Sequence, residues 1–197
     1  MTVSNENTDD PLNDEDEHPV ESSTVSDPWV IDELETDLID MPLEFIFADH
    51  HRQRQAAVIL NMIAAGEFDE YGMRKLVKFM KEDFVRHIAD EELGFFPLLR
   101  ERCLPEDKIE SLIARLVEEH KDDESGGEGI INLLEDRLAG KGLNHDAKSK
   151  ISAFAEHILQ HLAVENAVLL PIARVRMDKA TLKGLSTILK ERRASPK

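Results

Sequence analysis

The chain of 197 residues holds one cysteine, one tryptophan and one tyrosine, and aromatic residues make up only 5 % of it. A single thiol, Cys103, cannot close an internal disulfide, which suits a reducing cytosol, and no neighbouring residue marks it as reactive. No unbroken run of 18 apolar residues occurs, so no transmembrane helix is expected. The opening Met1-Thr2-Val3-Ser4-Asn5-Glu6 lacks the basic-then-apolar order of a secretion signal. These absences predict a cytoplasmic chain. Strand signals are weak throughout, and the remaining length is enough for one domain with a sizeable core plus a tail.

Basic residues are missing from the first quarter. The first is Arg52, and sixteen of the 41 acids precede it; the other 25 face 24 bases. The net charge of −17 therefore belongs to the leader and the start of the first helix. No basic patch stands out to neutralise phosphates, which argues against nucleic-acid binding. Residues 1–28 read as a disordered acidic arm, with too little apolar area to offset the entropy of ordering. A solvating tail is the simpler reading of the arm, and a protein-binding arm is the alternative. Residues 29–41, with Trp29, Ile31, Leu34, Leu38 and Ile39, read as a segment packing across the domain as a short helix.

Apolar spacing then predicts four long helices. The first runs from Pro42 to Ala65, with Asp40 near its cap and Gly66 at its stop. The second runs from just after Asp69 to Arg102, and the third from Glu106 to Ala139. Gly126, Gly127 and Gly129 are expected to bend or loosen the third. The fourth runs from Asp146 to Arg176, and a shorter fifth from Lys179 to Glu191. Short connections imply antiparallel neighbours, hence an all-α, up-and-down four-helix bundle over residues 42–177, with a C-terminal helix and tail in 178–197.

One phrase is written twice. His87-Ile-Ala-Asp-Glu91 is followed by Pro97, and His161-Leu-Ala-Val-Glu165 by Pro171, with every position of the second copy 74 residues downstream. Four residues make one helical turn, so each His–Glu pair shares a helix face. Each proline removes a backbone donor late in its helix and should kink or end it. One His-x-x-x-Glu match is a chance event or a surface ion pair; the doubled match with prolines and apolar flanks is not. The intervening helices hold Asp49-His50-His51 and Glu119-His120. His50, His87, Glu91, His120, His161 and Glu165 together suit two metal ions bridged by the carboxylates, iron before manganese or zinc.

The order of the motif excludes the Glu-x-x-His of ferritin-like bundles and the His-Glu-x-x-His of zinc proteases. It resembles the hemerythrin-like (HHE cation-binding) family, and the resemblance spans about residues 40–177. It implies an antiparallel four-helix bundle with a non-haem di-iron centre, in which Glu91 and Glu165 bridge the irons. His50 and His87 would serve one iron, and His120 and His161 the other. Oxygen-carrying members place a second histidine one turn along the third helix, where this chain has Glu124. Glu124 is either an added oxygen ligand or, beside Asp122 and Asp123, a solvent-facing residue, the favoured alternative.

His50 is chosen over His51 because the acid–His pair then aligns with Glu119-His120. His157, one turn before His161, reads as a partly exposed helix residue before a supporting one. His18 lies in the tail, His145 near a helix start, and Tyr71 far from the site. The implied function is sensing, scavenging or storage of O2, peroxide, nitric oxide or iron at an open metal position. A regulatory protein that contacts a partner through the acidic arm or last helix is one alternative. An oxidoreductase acting on a small oxidant is the other.

Overall fold

The structure, a computed structural model, describes Met1, residues 27–194 and, within them, every side chain but that of Glu124. The described residues are helical, without strands. A 3-10 turn, Thr36–Asp40, leads into α1 (Pro42–Ala65). Helix α2 spans residues 70–102, α3 is Ile109–Leu138, α4 is His145–Arg176 and α5 is Lys179–Ala194. The expected arm, residues 1–28 with His18, falls almost wholly outside the described residues.

Local chemistry sets the helix ends. Pro42 opens α1, where its missing N–H costs nothing. Asp40 does not cap it: Met41 holds that position without a side-chain bond, and Asp40 pairs with Lys190 of α5 instead. Gly66 ends α1 at φ 108°, with its N–H and that of Glu67 bonded back to Met62. Asp69 caps α2 by accepting from the Gly72 N–H at 2.6 Å, and Asn144 caps α4 by accepting from Ala147 at 2.8 Å.

The prolines neither end nor simply kink their helices. Residues Glu91–Phe95 and Glu165–Leu169 form π turns, and Pro97 and Pro171 then stand in the first turn of the α-helical segments Phe96–Arg102 and Leu170–Arg176. Widening the turn removes the need for the N–H that proline lacks and makes room for its ring. Each π turn begins on the repeated glutamate. A third, Met80–Phe84, has no proline and no counterpart in α4.

Cross-helix pairs run in opposite order along each pair of neighbours. Glu44, His50 and Asn61 of α1 meet Arg174, Asn166 and Ser152 of α4. Lys81, Glu92 and Arg100 of α2 meet Glu135, His120 and Glu110 of α3. The core falls into two clusters: one around Leu60, Ile63, Met73, Leu134, Ile151 and Phe154, the other around Phe45, Ile46, Phe95, Leu116, Leu170 and Leu185. Trp29 and Ile31 pack on the first, Leu34 and Leu38 on the second, so the entering segment spans both. Trp29 comes so close to α2 that a Cβ on Gly72 would stand 2.9 Å from its side chain.

Helix α3 is continuous through Gly126, Gly127 and Gly129, because burial against α4 holds what propensity alone would lose; Phe154 lies opposite Gly126 and Gly127. Helix α4 is, by length and composition, apolar enough to cross a membrane. Its Ile151, Phe154, Ile158 and Leu162 are buried in the bundle, and it carries buried His161 and Glu165.

Candidate metal centre

Between the two apolar clusters lies a buried polar layer. His50, Glu91 and Glu165 are fully buried, and His87, His120 and His161 nearly so. All six residues singled out from the sequence converge here. Glu91 stands 3.5 Å from His50 Nε2, 3.5 Å from His87 Nε2 and 3.4 Å from His120 Nε2. Glu165 stands 3.4 Å from His50 Nε2 and 3.2 Å from His161 Nε2. His50, His87, Glu91 and Glu165 form one compact group of donors, and Glu91, His120, His161 and Glu165 a second. The two carboxylates belong to both. His51, by contrast, is exposed and faces Asp32.

Each imidazole turns its Nε2 inward and its Nδ1 toward an oxygen outside the layer. His50 Nδ1 meets Asn166 Oδ1 at 3.0 Å and His87 Nδ1 meets Asp49 Oδ2 at 3.2 Å. His120 Nδ1 meets Glu92 at 2.9 Å and His161 Nδ1 meets Glu119 at 2.9 Å. An oxygen on Nδ1 fixes the ring so that Nε2 offers a lone pair, the arrangement that metal-binding histidines use. The repeat thus extends further than the His–Glu pairs. The acid before each lone histidine holds the imidazole of the same half (Asp49 with His87, Glu119 with His161). The residue after each glutamate holds the lone histidine of the other half (Glu92 with His120, Asn166 with His50). The doubled acid–His was visible in the sequence, but its target across the helix pair was not.

Apart from the Nε2 atoms of His120 and His161, which face each other at 3.2 Å, the inward atoms lack hydrogen-bond partners. His50 Nε2, His87 Nε2 and all four oxygens of Glu91 and Glu165 make no hydrogen bond within the protein. Two uncompensated buried carboxylates would cost several kcal/mol each. The fit to a cation pair is therefore chemical as well as geometric: the donors are hard oxygens and borderline nitrogens, buried, unsatisfied and pre-oriented.

The charges respond accordingly. Burial opposes a charge on His87, but Glu91 and Asp49 outweigh it and push the imidazole up to about 9. Burial also opposes the charge on His161, which Glu165, Glu91 and Glu119 push up to about 10. His120 moves the same way: burial is outweighed by Glu91 and Glu92. Burial works against the Glu91 carboxylate, yet His87, His120 and His50 hold it well below its usual range. Asp49 is likewise held low, against burial, by His87 and Arg52.

Asp123 departs from the sequence reading. It was expected to face solvent in an acidic cluster, but it is buried at 3 % exposure while Asp122 is exposed. Burial raises its carboxyl. His157, 35 % exposed at its side chain, sets Nε2 3.2 Å from Asp123 Oδ1, off the line that a hydrogen bond needs. The side chain of Glu124 lies outside the described residues. Tyr71 is exposed, and Cys103 has its thiol pushed up by burial and by Asp107, which keeps it protonated.

Helices that bring two overlapping His/Glu groups to their centre define a cation-binding helical bundle. The chain matches the family described as the hemerythrin HHE cation binding domain over residues 41–173, and it belongs to that family. No curated protein and no solved structure matches the chain.

Proposed function

We propose that this chain is a non-haem di-iron protein that senses, scavenges or stores O2, peroxide, nitric oxide or iron, in an antiparallel up-and-down four-helix bundle. The observation that carries this reading is that the two donor groups share both carboxylates. In it, both ions would share Glu91 and Glu165; His50 and His87 would hold one ion, and His120 and His161 the other. An iron held by these residues would have room for a small ligand. Iron, when bound, supplies a redox-active Lewis acid for a small oxygen or nitrogen ligand; manganese or zinc suits the donors less well. Asp49, Glu92, Glu119 and Asn166 hold the imidazoles in the binding tautomer. The apolar clusters on both sides keep bulk water from the layer.

Metal analysis with optical spectra, on anaerobically purified protein before and after air, tests this reading. Two irons per chain and a spectral change with air are expected; fewer than one iron per chain after reconstitution refutes it. Glu91→Ala or Glu165→Ala should each lose iron, and retention of two irons in either refutes the bridging roles.

A second reading, a regulatory protein whose metal state is passed to a partner, is favoured by the seating of α5. Arg192 and Arg193 hold the buried carboxylate of Asp90 at 2.7 and 2.6 Å, next to Glu91. Leu185 and Ile188 lie over Gly94 within the π turn. The acidic arm is the other candidate partner surface. Loss of partner binding on deleting residues 1–28 or α5, with metal spectra unchanged, would favour it.

A further inference from the structure

The two halves of the centre match in their His–Glu pairs but not in what stands behind them. The repeat of 74 residues sets Asp90 against Val164 and Gly94 against Val168. Asp90 is a buried carboxylate at 2 % exposure, whereas Val164 is half-buried and apolar. Gly94 leaves room for α5: a Cβ there would stand 3.3 Å from Ile188 and 3.4 Å from Leu185. Val168 is exposed. Helix α5 is therefore seated on the π turn of Glu91, and the two valines offer neither charge nor gap for such a seat at the π turn of Glu165.

Asp90 takes one bond from each of two arginines of α5. Arg192 Nε donates to its Oδ1 at 2.7 Å and Arg193 Nη2 to its Oδ2 at 2.6 Å. Arg193 is fixed in turn by donating from Nη1 to the Leu189 carbonyl at 3.0 Å, and its guanidinium lies 4.5 Å over the ring of Phe45. Leu185 and Leu189 anchor the same helix in the core, fully buried. The residue after Asp90 is Glu91, the first of the π turn. The four oxygens of Glu91 and Glu165 make no hydrogen bond within the protein, so like charges push the two side chains apart until cations arrive. A π turn is an irregular stretch of helix and gives Glu91 little hold of its own. Two charge-assisted bonds on the preceding carboxylate supply that hold.

We propose that Arg192 and Arg193 are positioning residues for Glu91: through Asp90 they hold the π turn in place, so that cation binding and the seating of α5 strengthen each other by one common factor. This rests on the metal reading above and deepens the second one by naming its moving part. The arginines act through Asp90 and the backbone, not on a cation. An outer residue that orients a ligand is worth about 10- to 100-fold in metal affinity, and a clamp one residue away along the backbone belongs near tenfold. Linkage then requires cations to hold α5 in its seat about tenfold more firmly. A partner that draws α5 off the bundle lowers cation affinity by the same factor.

The test uses the full-length chain, iron-loaded and chelated. Competition against a chelator gives iron affinity, and amide hydrogen exchange read by mass spectrometry gives the opening of α5. In wild type, residues 185–193 should exchange about tenfold more slowly with iron than without. In the double variant Arg192→Gln/Arg193→Gln, iron should bind about tenfold more weakly, and the effect of iron on α5 exchange should shrink to within about twofold. Lys190→Gln removes the ion pair of α5 with Asp40 and leaves Asp90 held; it should speed α5 exchange and keep iron affinity within about twofold. Should the double variant not fold, wild-type exchange with and without iron decides alone. Wild-type α5 exchange that ignores iron, or a double variant that binds iron as wild type does, overturns the inference. So does Lys190→Gln weakening iron as much as the double variant, because α5 is then a general brace. Wild-type protein that takes up two irons with α5 indifferent to them sinks this inference alone, whereas wild-type protein without iron sinks the metal reading and this inference with it.

Discussion

Asp49→Asn is the sharpest probe of how the site is built. The Asp49 carboxylate bonds His87 Nδ1 at 3.2 Å with one oxygen and Arg52 Nη1 at 2.7 Å with the other, at 5 % side-chain exposure. Its counterpart Glu119 bonds His161 Nδ1 at 2.9 Å and Arg115 at 3.3 Å, but at 25 % exposure. Removing an outer oxygen that orients a metal-bound histidine costs about 10- to 100-fold in affinity. Water can replace part of what Glu119 does, and cannot easily reach His87. Asp49→Asn should therefore fall at the upper end, near 100-fold, and Glu119→Gln at the lower end, near tenfold. Stability moves too. Breaking a buried charge pair by removing one partner costs roughly 3–5 kcal/mol. Arg52 keeps Asp83 at 2.8 Å and the Asp32 carbonyl at 2.8 Å, so the loss should lie near or below the low end of that range. Competition titration against a chelator measures affinity, and denaturant unfolding of chelated protein measures stability. Asp49→Asn within twofold of wild type, or a larger loss in Glu119→Gln, would refute the claim that burial of the outer oxygen sets its worth.

Further outcomes follow from the same geometry. Because the folded values of His87 and His161 lie above the ordinary 6.5, their charge pairs stabilise metal-free protein fully below pH 6.5; that stability is lost as pH rises through about 9 and about 10. Thermal unfolding of chelated protein should show a falling Tm across this window, while metal-loaded protein gains affinity as the competing protons leave; a flat or rising Tm without metal refutes it. Gly72→Ala places a Cβ 2.9 Å from Trp29 and should cost about 1–3 kcal/mol in denaturant unfolding. Gly129→Ala, with nothing within 4 Å in mid-helix, should instead gain up to about 1 kcal/mol. Asp90→Asn leaves Arg192 and Arg193 partly able to reach water, so a loss of about 1–3 kcal/mol is expected, read as a lower Tm.

Residues that carry chemistry through local spacing were legible in the sequence. His87 with Glu91 and His161 with Glu165 are one turn apart, and the 3.6-residue period places them together without knowledge of the partner helix. His50 and His120 were found through the acid before each. What spacing cannot show is which neighbour a side chain meets across a helix pair. Glu92 and Asn166 follow the glutamates, yet they serve histidines on α3 and α1. Asp123 sits in a run of acids that reads as solvated, but packing of α3 against α4 buries it and leaves Asp122 outside. The glycines of α3 read as a break because propensity is local, while the contacts that override it are not. Proline was read as a helix-breaker, since nothing in a composition window signals that one extra residue has been admitted to the turn before it.

That extra residue has a rotational meaning. Twelve residues separate His87 from Leu99, and twelve separate His161 from Ala173. At roughly 100° per residue, an unbroken α-helix would point Leu99 about 120° away from His87. Yet Leu99 and Ala173 are fully buried, facing the same interior as the histidines. A π turn takes up one residue without advancing the face, leaving about eleven steps and an offset near 20°. The widened turns are phase corrections: they let one continuous helix present metal-facing residues above and apolar packing below on a single side. Deleting one residue within 91–95 would preserve that phase but return Pro97 to a turn with no room for its ring.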